Sequence, residues 1–323
     1  MMKEHPFAEF LRILGKGRHG HRDLERDEAE RAMRMLLEEQ VDPVQVGAFL
    51  MLLRVKGESV DELAGMLLAA RASLPVSDLE FDLDWPAYAG KRRHLPWYLL
   101  AARVLAQQGV RILLHTASVE DRLQVHDLID TLHLPWATHW GELAAQVDAH
   151  AWACIDLATI QPRLAQMLQL RALLGVRSPL HSLVRLLNPG RAAAMLVPIF
   201  HPAYRETHRA VLQSLQQPCA FVFKGEGGEA ERNPDALLRI SATHSGQPWD
   251  GQWPALFEQR HASEESLDPR RLEDLWRGDS VDEYATAAVC GTLAIALFCL
   301  GRATDEVTAH ELARHYWQQR QIY

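Results

Sequence analysis

The sequence predicts an α/β protein in two parts: a small helical domain over residues 1–75 and a larger α/β domain over residues 76–323 with a mostly parallel central sheet. Two observations carry this. The first 75 residues repeat apolar side chains at helical spacing, punctuated by capping signals. Beyond Pro75 the pattern changes to short apolar runs separated by helical stretches, the alternation that builds a sheet at least partly parallel. A chain of 323 residues has room for about two domains and can bury a substantial core.

Each element follows from local pattern. Residues 29–37 carry apolar side chains at helical spacing. Asp42-Pro43-Val44-Gln45 reads as a capping box with proline at the first helical position. Behind it Val46, Phe49, Leu50 and Leu53 line one helix face. Lys56-Gly57 ends that helix, with a cation in the last turn and glycine after it. Ser59-Val60-Asp61-Glu62 is a second capping box, followed by Leu63, Met66, Leu67 and Ala70. Past Pro75, strands are expected at residues 111–115, 154–157, 196–200, 219–223 and 238–241, with helices at 97–107 and 204–215. Residues 161–187 break the alternation, being long, helical and strandless, and the stretch 161–190 is expected to join the helical domain.

Composition is that of a globular protein, 48% hydrophobic and 24% charged, with a net charge of −8. A nucleic-acid or membrane partner therefore needs local positive charge rather than a global excess. Cys154, Cys219, Cys290 and Cys299 form no C-x-x-C pair and sit among apolar neighbours, so they read as buried free thiols of a reducing compartment. Residues 1–10 lack the apolar core of a signal peptide. The longest apolar run, 288–300, falls short of the about 20 residues that span a bilayer and reads as a buried helix. A cytoplasmic protein without membrane contact is expected.

Three stretches carry a resemblance to a known family. Residues 44–58, with Asp61-Glu62-Leu63-Ala64-Gly65 after them, resemble the opening domain of anthranilate phosphoribosyltransferases. Residues 170–178, ending at Leu186-Leu187-Asn188-Pro189, resemble that family's arginine-bearing helix and the stretch beyond it. Lys224-Gly225-Glu226-Gly227-Gly228 is similar to its glycine-rich turn after a strand. The resemblance implies a nucleoside phosphorylase/phosphoribosyltransferase-like fold, a dimer formed through the helical domains, and phosphoribosyl pyrophosphate with Mg²⁺ in the cleft between the two parts.

The residues that would grip that substrate have changed. Phosphoribosyl transfer needs backbone amides around the pyrophosphate, carboxylates for Mg²⁺ and donors for the ribose phosphate. Where the family has a Gly-Thr-Gly-Gly-Asp loop, this chain reads Tyr88-Ala89-Gly90-Lys91-Arg92-Arg93-His94. Where it has Lys-His-Gly-Asn-Arg, only His115 matches, and Glu120 and Asp121 stand where phosphate would need hydroxyls and amides. The Asp-Glu metal pair is replaced by Glu229-Ala230-Glu231. Arg171 matches the substrate-binding arginine and survives. Gly90, His115, Arg171, Asn188 and Glu231 are thus the candidate vestiges of a substrate site, with no catalytic residue and no metal assigned; Mg²⁺ is expected only if a transferase activity survives.

Charge placement points elsewhere. Residues 85–119 contain no acid but hold Lys91, Arg92, Arg93, Arg103 and Arg111. Residues 157–205 again contain no acid but hold Arg163, Arg171, Arg177, Arg185, Arg191 and Arg205. A third such stretch, 10–22, holds Arg12, Lys16, Arg18 and Arg22. Ordinary solvated faces and buried strands can also lack acids. The resemblance, however, puts the two long windows on opposite sides of one cleft, which suits a polyanion held along its backbone. Lys91, Arg92, Arg93, Arg177, Arg185, Arg205, Lys16 and Arg18 are the candidate nucleic-acid contacts. Tyr88, Trp97, Tyr98 and Tyr204 lie nearby and could stack on bases or pack in the core.

Within the family the chain resembles the YbiB-type branch, through Gly15-Lys16-Gly17-Arg18-His19, through residues 86–93 and through His201-Pro202-Ala203-Tyr204. That resemblance implies a homodimer that binds DNA and RNA with little sequence preference. A transferase with an altered substrate and a sensor of a phosphorylated metabolite stay open as alternatives.

Overall fold

The computed structural model describes residues 4–17, 20–76, 78–118, 122–264 and 266–322. The N-terminal part is built from the helices Ala8–Gly15, Arg26–Leu37, Pro43–Lys56 and Val60–Ala72. Ser59 and Glu62 close the capping box that their spacing predicts. At Asp42 the box is only half formed: its carboxylate accepts from the Val44 amide, while the buried Gln45 Oε1 has no hydrogen-bond partner. Gly65 lets the fourth helix lie directly on the second, because a Cβ there would stand 2.1 Å from the Arg26 carbonyl oxygen.

The core of this part does not end at residue 75. Phe49, Leu53, Leu63 and Met66 share one apolar layer with Leu164, Met167, Leu180 and Leu187, and with Met195, Val197 and Ile199 of the sheet. Arg71 reinforces the join by donating from Nε and Nη2 to the Leu187 and Leu186 carbonyls at 3.0 and 2.8 Å. The stretch expected as one long helical segment is broken into the helices Pro162–Gln169, Arg171–Leu174 and Leu180–Leu183. Gly175, at φ 71°, ends the second of these, and Pro179 starts the third.

The larger part holds an eight-stranded sheet: β1 (Leu83–Ala87), β2 (Ile112–Thr116), β3 (Trp136–Ala137), β4 (Trp152–Asp156), β5 (Ala194–Ile199), β6 (Cys219–Lys224), β7 (Leu238–His244) and β8 (Gln247–Trp253). Their order is β3-β4-β2-β1-β5-β6-β7-β8. The pairs from β3 through β6 are parallel, and β7 and β8 are antiparallel. Sequence pattern missed β1, β3 and β8. β1 contains Asp84 and Pro86, which do not read as a central strand; Pro86 is tolerated because β1 pairs with β5 only at Leu83 and Asp84.

The second face of the sheet is covered by the helices Tyr98–Gln107, Glu283–Cys299 and Glu306–Gln318. The apolar run noted in the sequence is the buried C-terminal part of Glu283–Cys299 with Leu300 after it. No helix of the described residues is long and apolar enough to cross a membrane. The parallel strands all point one way, so the chain leaves β1 at Ala87, β2 at Thr116, β5 at Ile199 and β6 at Lys224 along one edge. Ligands of open α/β sheets bind beyond such carboxyl ends.

Candidate functional site

Two neighbouring hollows occupy that edge. The larger, about 590 Å³, is lined by the loop Gly90–His94 and by Arg122, Phe200, Lys224, Gly225 and Arg260, among others. The smaller, about 250 Å³, lies between Tyr88, Ala117 and Ser118 on one side and Gln169, Arg171 and His181 on the other.

The loop after β1 turns at Gly90, whose φ of 67° and crowding by Gln124 exclude a side chain. This presents the amides of Ala89 and Gly90 side by side, an arrangement that attracts anions. Both amides are already taken. The buried Glu229 carboxylate accepts from Ala89 N at 2.7 Å and from Gly90 N at 2.5 Å. Two residues on, Glu231 Oε1 accepts from Lys91 Nζ at 2.6 Å and its Oε2 from the Tyr98 amide at 2.9 Å. Lys91 is 1% exposed and Glu231 0%. Burial raises both glutamates above the ordinary carboxylate range, against the pull of the neighbouring cations and amides.

Around this closed network the cleft is cationic. Arg93 and Lys224 are exposed on its wall, and among the described residues no carboxylate pairs with either, or with Arg171 or Arg177. Arg122 hangs over the loop, donating from Nη1 to the Ala89 carbonyl at 2.9 Å. Burial lowers its pKa, and Arg92 beside one hollow and Arg171 beside the other add to this, opposed by Glu229. Burial, then Arg185, Arg122 and Arg171, bring Arg177 down to about 10. Burial, then Arg185, Arg177 and Arg171, hold His181 at about 3, so its ring is neutral near pH 7.

The comparisons with known proteins agree with this frame. Residues 8–74 match the helical bundle domain of a glycosyl transferase family. The chain is 25% identical over 242 residues to the uncharacterized protein YbiB of Escherichia coli, covering 73% of this chain and 75% of that one. It is 26% identical over 237 residues to the anthranilate phosphoribosyltransferase of Methylocella silvestris, covering 72% of this chain and 68% of that one. The structure of the Saccharomyces cerevisiae anthranilate phosphoribosyltransferase in complex with PRPP and Mg superposes with a TM-score of 0.78 at 16% identity, covering 99% of this chain and 97% of that one. The chain is similar to anthranilate phosphoribosyltransferases and to YbiB. Its fold, a helical domain on a mostly parallel α/β domain, is that of the solved anthranilate phosphoribosyltransferase structures.

The Saccharomyces cerevisiae enzyme was solved with Mg, and the residues present here do not fit such an ion. Glu229 is turned onto backbone amides, and Glu231 is held by the Lys91 ammonium. Among the described residues no group of three or more histidine, cysteine, aspartate or glutamate side chains is placed to hold a metal ion.

The structure sorts the sequence-predicted residues. Gly90, Arg92, Arg93, Arg171 and Arg177 gather around the two hollows. Lys91 does not serve as a surface phosphate contact, because it is sealed against Glu231. Arg185 is buried as well, 7% exposed and donating to the His181 carbonyl, so it supplies field rather than contact. Arg205 lies apart, in a shallow depression with Arg239, Ser241 and Asp250, donating to Ser241 Oγ at 3.0 Å. Asn188 is at the opposite end of the sheet, before β5, bonding Ala192 in both directions at 2.8 and 2.9 Å. His115 is sealed in the core, with Nε2 3.1 Å from Asp84 and Nδ1 2.7 Å from the Tyr88 hydroxyl. Lys16 is exposed at the end of the first helix. Arg18, Glu120 and Asp121 lie outside the described residues.

Trp97, Tyr98 and Tyr88 are core residues, so they offer no face to a base. Phe200, unnoticed in the sequence, does: it is 47% exposed on the cleft wall. Arg122 also escaped, because it follows Glu120 and Asp121 and so falls outside every acid-free window. Lys224 lies in the glycine turn outside the acid-free windows, so charge placement in the sequence does not mark it as a cation of the cleft.

Proposed function

We propose that this protein is a cytoplasmic, homodimeric nucleic-acid-binding protein that holds DNA or RNA by its phosphate backbone and has lost phosphoribosyl transfer. One observation carries the reading. The amides that would receive a pyrophosphate are filled by Glu229, while the cleft around them gathers Arg92, Arg93, Arg122, Lys224 and Arg260 against the carboxylates of Glu226 and Asp235, and no described carboxylate forms an ion pair with Arg93 or Lys224. A site for one small pyrophosphate is closed, and a site for a longer anion on its rim is open. Arg92, Arg93, Lys224 and Arg260 would meet phosphates, and bidentate guanidinium contact favours them. Arg122, Arg177 and Arg185 would add field from behind. Phe200 would lie under a base. Such contacts read backbone and not sequence.

Dimerisation is proposed through the helical domain. The helix Pro43–Lys56 leaves Val44 79% and Val55 81% exposed, apolar surface that a second copy would cover. Joining two subunits would lengthen the cationic track.

The test is fluorescence anisotropy with labelled single- and double-stranded oligonucleotides of several sequences, over a range of salt. Tight binding that weakens steeply with salt and ignores sequence is expected. No binding at low salt overturns the reading. A second reading, a pocket for a small phosphorylated or carboxylate metabolite, rests on the hollow beside Arg171 and Gln169. A rise in melting temperature with such a ligand and no oligonucleotide binding would select it, and Mg²⁺-dependent turnover of phosphoribosyl pyrophosphate would select a surviving transferase.

A further inference from the structure

The cysteines were read from sequence as buried, inert thiols. For Cys154 and Cys290 the structure agrees: both are buried, and burial pushes both thiols up. Cys219 and Cys299 differ. Cys219 opens β6 and is only partly buried, while Cys299 ends the helix Glu283–Cys299 and is 3% exposed. Their sulfurs are 3.6 Å apart. The His244 ring, at the end of β7, places Nδ1 3.8 Å from Cys219 Sγ. The Cys299 thiol also reaches the Met195 carbonyl at 3.5 Å, which fixes it beside its neighbour.

The two sulfurs are chemically unequal. Contact with the Cys299 sulfur draws the Cys219 thiol below its ordinary range and His244 adds to this against the cost of burial, while Cys219 Sγ also donates to the Cys299 carbonyl at 3.0 Å. Burial, and the bond to Cys219, push Cys299 well up. A partly exposed cysteine whose sulfur touches that of a buried one is the arrangement of an attacking and a resolving cysteine.

We propose that Cys219 and Cys299 are a hydroperoxide-reactive pair that closes an intramolecular disulfide. The Cys219 thiolate attacks the peroxide: a sulfur–oxygen bond forms, the oxygen–oxygen bond breaks, and the leaving alkoxide or hydroxide takes up a proton to depart as alcohol or water. Cys219 is then a sulfenic acid. The Cys299 sulfur displaces its hydroxyl, losing its own proton, and water leaves as the sulfur–sulfur bond forms. Two thiols and one hydroperoxide thus give one disulfide, one alcohol or water, and one further water. Side-chain rotation brings sulfurs already in contact to bonding distance. The new bond closes a loop between positions 80 apart in sequence and ties the central helix to β6, so the oxidised form melts at a higher temperature.

The intact protein is treated with hydrogen peroxide, quenched, and digested without reductant. The expected result is a Cys219–Cys299 cross-linked peptide lighter by two hydrogens, reversed by dithiothreitol, with Cys154 and Cys290 still thiols. Cys219→Ser should abolish the cross-link. Cys299→Ala should leave Cys219 as a sulfenic acid that dimedone traps, and His244→Gln should slow the first step. Oxidation of Cys219 to sulfinic acid without a cross-link overturns the proposal. So does equal reactivity of all four cysteines, or none. Because the mapping on unaltered protein decides the question, a variant that fails to fold does not shelter the idea.

Discussion

Glu229 lays its carboxylate across the amides of Ala89 and Gly90, at 2.7 and 2.5 Å, and so occupies from within the place where the fold would hold an anion from without. Glu229→Ala removes the acceptor from two buried donors, and leaving such groups unmade costs about 1–3 kcal/mol. The variant should melt lower than the parent. It should also gain what the parent lacks: pyrophosphate, added alone, raises the melting temperature of Glu229→Ala and leaves that of the parent unmoved. An equal response from both proteins would show that these amides are not the filled site.

Lys91 and Glu231 face each other with both side chains buried, so removing Lys91 leaves Glu231 with only the Tyr98 amide in a site whose burial already raises it to about 7. Breaking a buried pair in this way costs about 3–5 kcal/mol, more than any exposed pair is worth. Lys91→Met should therefore lower the urea midpoint sharply, and the double variant Lys91→Met with Glu231→Gln should recover much of the loss. Oligonucleotide affinity per folded molecule, and its salt slope, should not change. A reduced salt slope in Lys91→Met would return this lysine to the surface contacts from which the structure removes it.

Part of this was legible in the sequence. The capping box at Ser59 and Glu62, the apolar face from Val46 to Leu53 and the strands β2, β4, β5, β6 and β7 follow from local spacing. β1 was hidden by Asp84 and Pro86, whose acceptability depends on where β5 stops pairing, a tertiary fact. The site divides the same way. Counting cations found Arg92, Arg93, Arg171 and Arg177, but composition is blind to direction. It could not tell that Lys91 turns inward while its two successors turn outward, nor that the second carboxylate of the Glu229-Ala230-Glu231 stretch meets that lysine. Arg205 was grouped with the others because it shares their acid-free window, yet its helix carries it to another face.

Arg92 and Arg93 follow the closed loop and point from it into solvent. If each neutralises one backbone phosphate, replacing both by alanine should reduce the slope of log affinity against log salt by about 2 and weaken all sequences alike. Arg205→Ala serves as the control, since that side chain is engaged with Ser241 away from the cleft, and its slope should match the parent's. Anisotropy titrations at several salt concentrations read both. Equal losses in the two variants would mean that the nucleic acid does not enter the cleft.

His208 gives the fold an acid-sensitive point. It sits on the helix Tyr204–Ser214, 2% exposed, with neither ring nitrogen hydrogen-bonded. Burial, aided by Arg185, holds it at about 3 against an ordinary value of 6.5. Between those values the unfolded chain carries a proton here that the folded chain refuses. Stability is therefore full above 6.5 and falls as pH drops through the window, by about 1.4 kcal/mol per pH unit for this one group. Glu229 and Glu231 work the other way, because burial raises them and the folded chain takes their protons early. The net slope of the parent mixes these opposing groups, and only a difference isolates the histidine. His208→Leu keeps similar bulk, removes two unsatisfied nitrogens and removes the titration. Urea midpoints on either side of 6.5 should show the variant more stable than the parent at both, with the gap widening on the acid side. A gap that stays constant with pH would mean that His208 titrates in the folded chain as it does in the unfolded one.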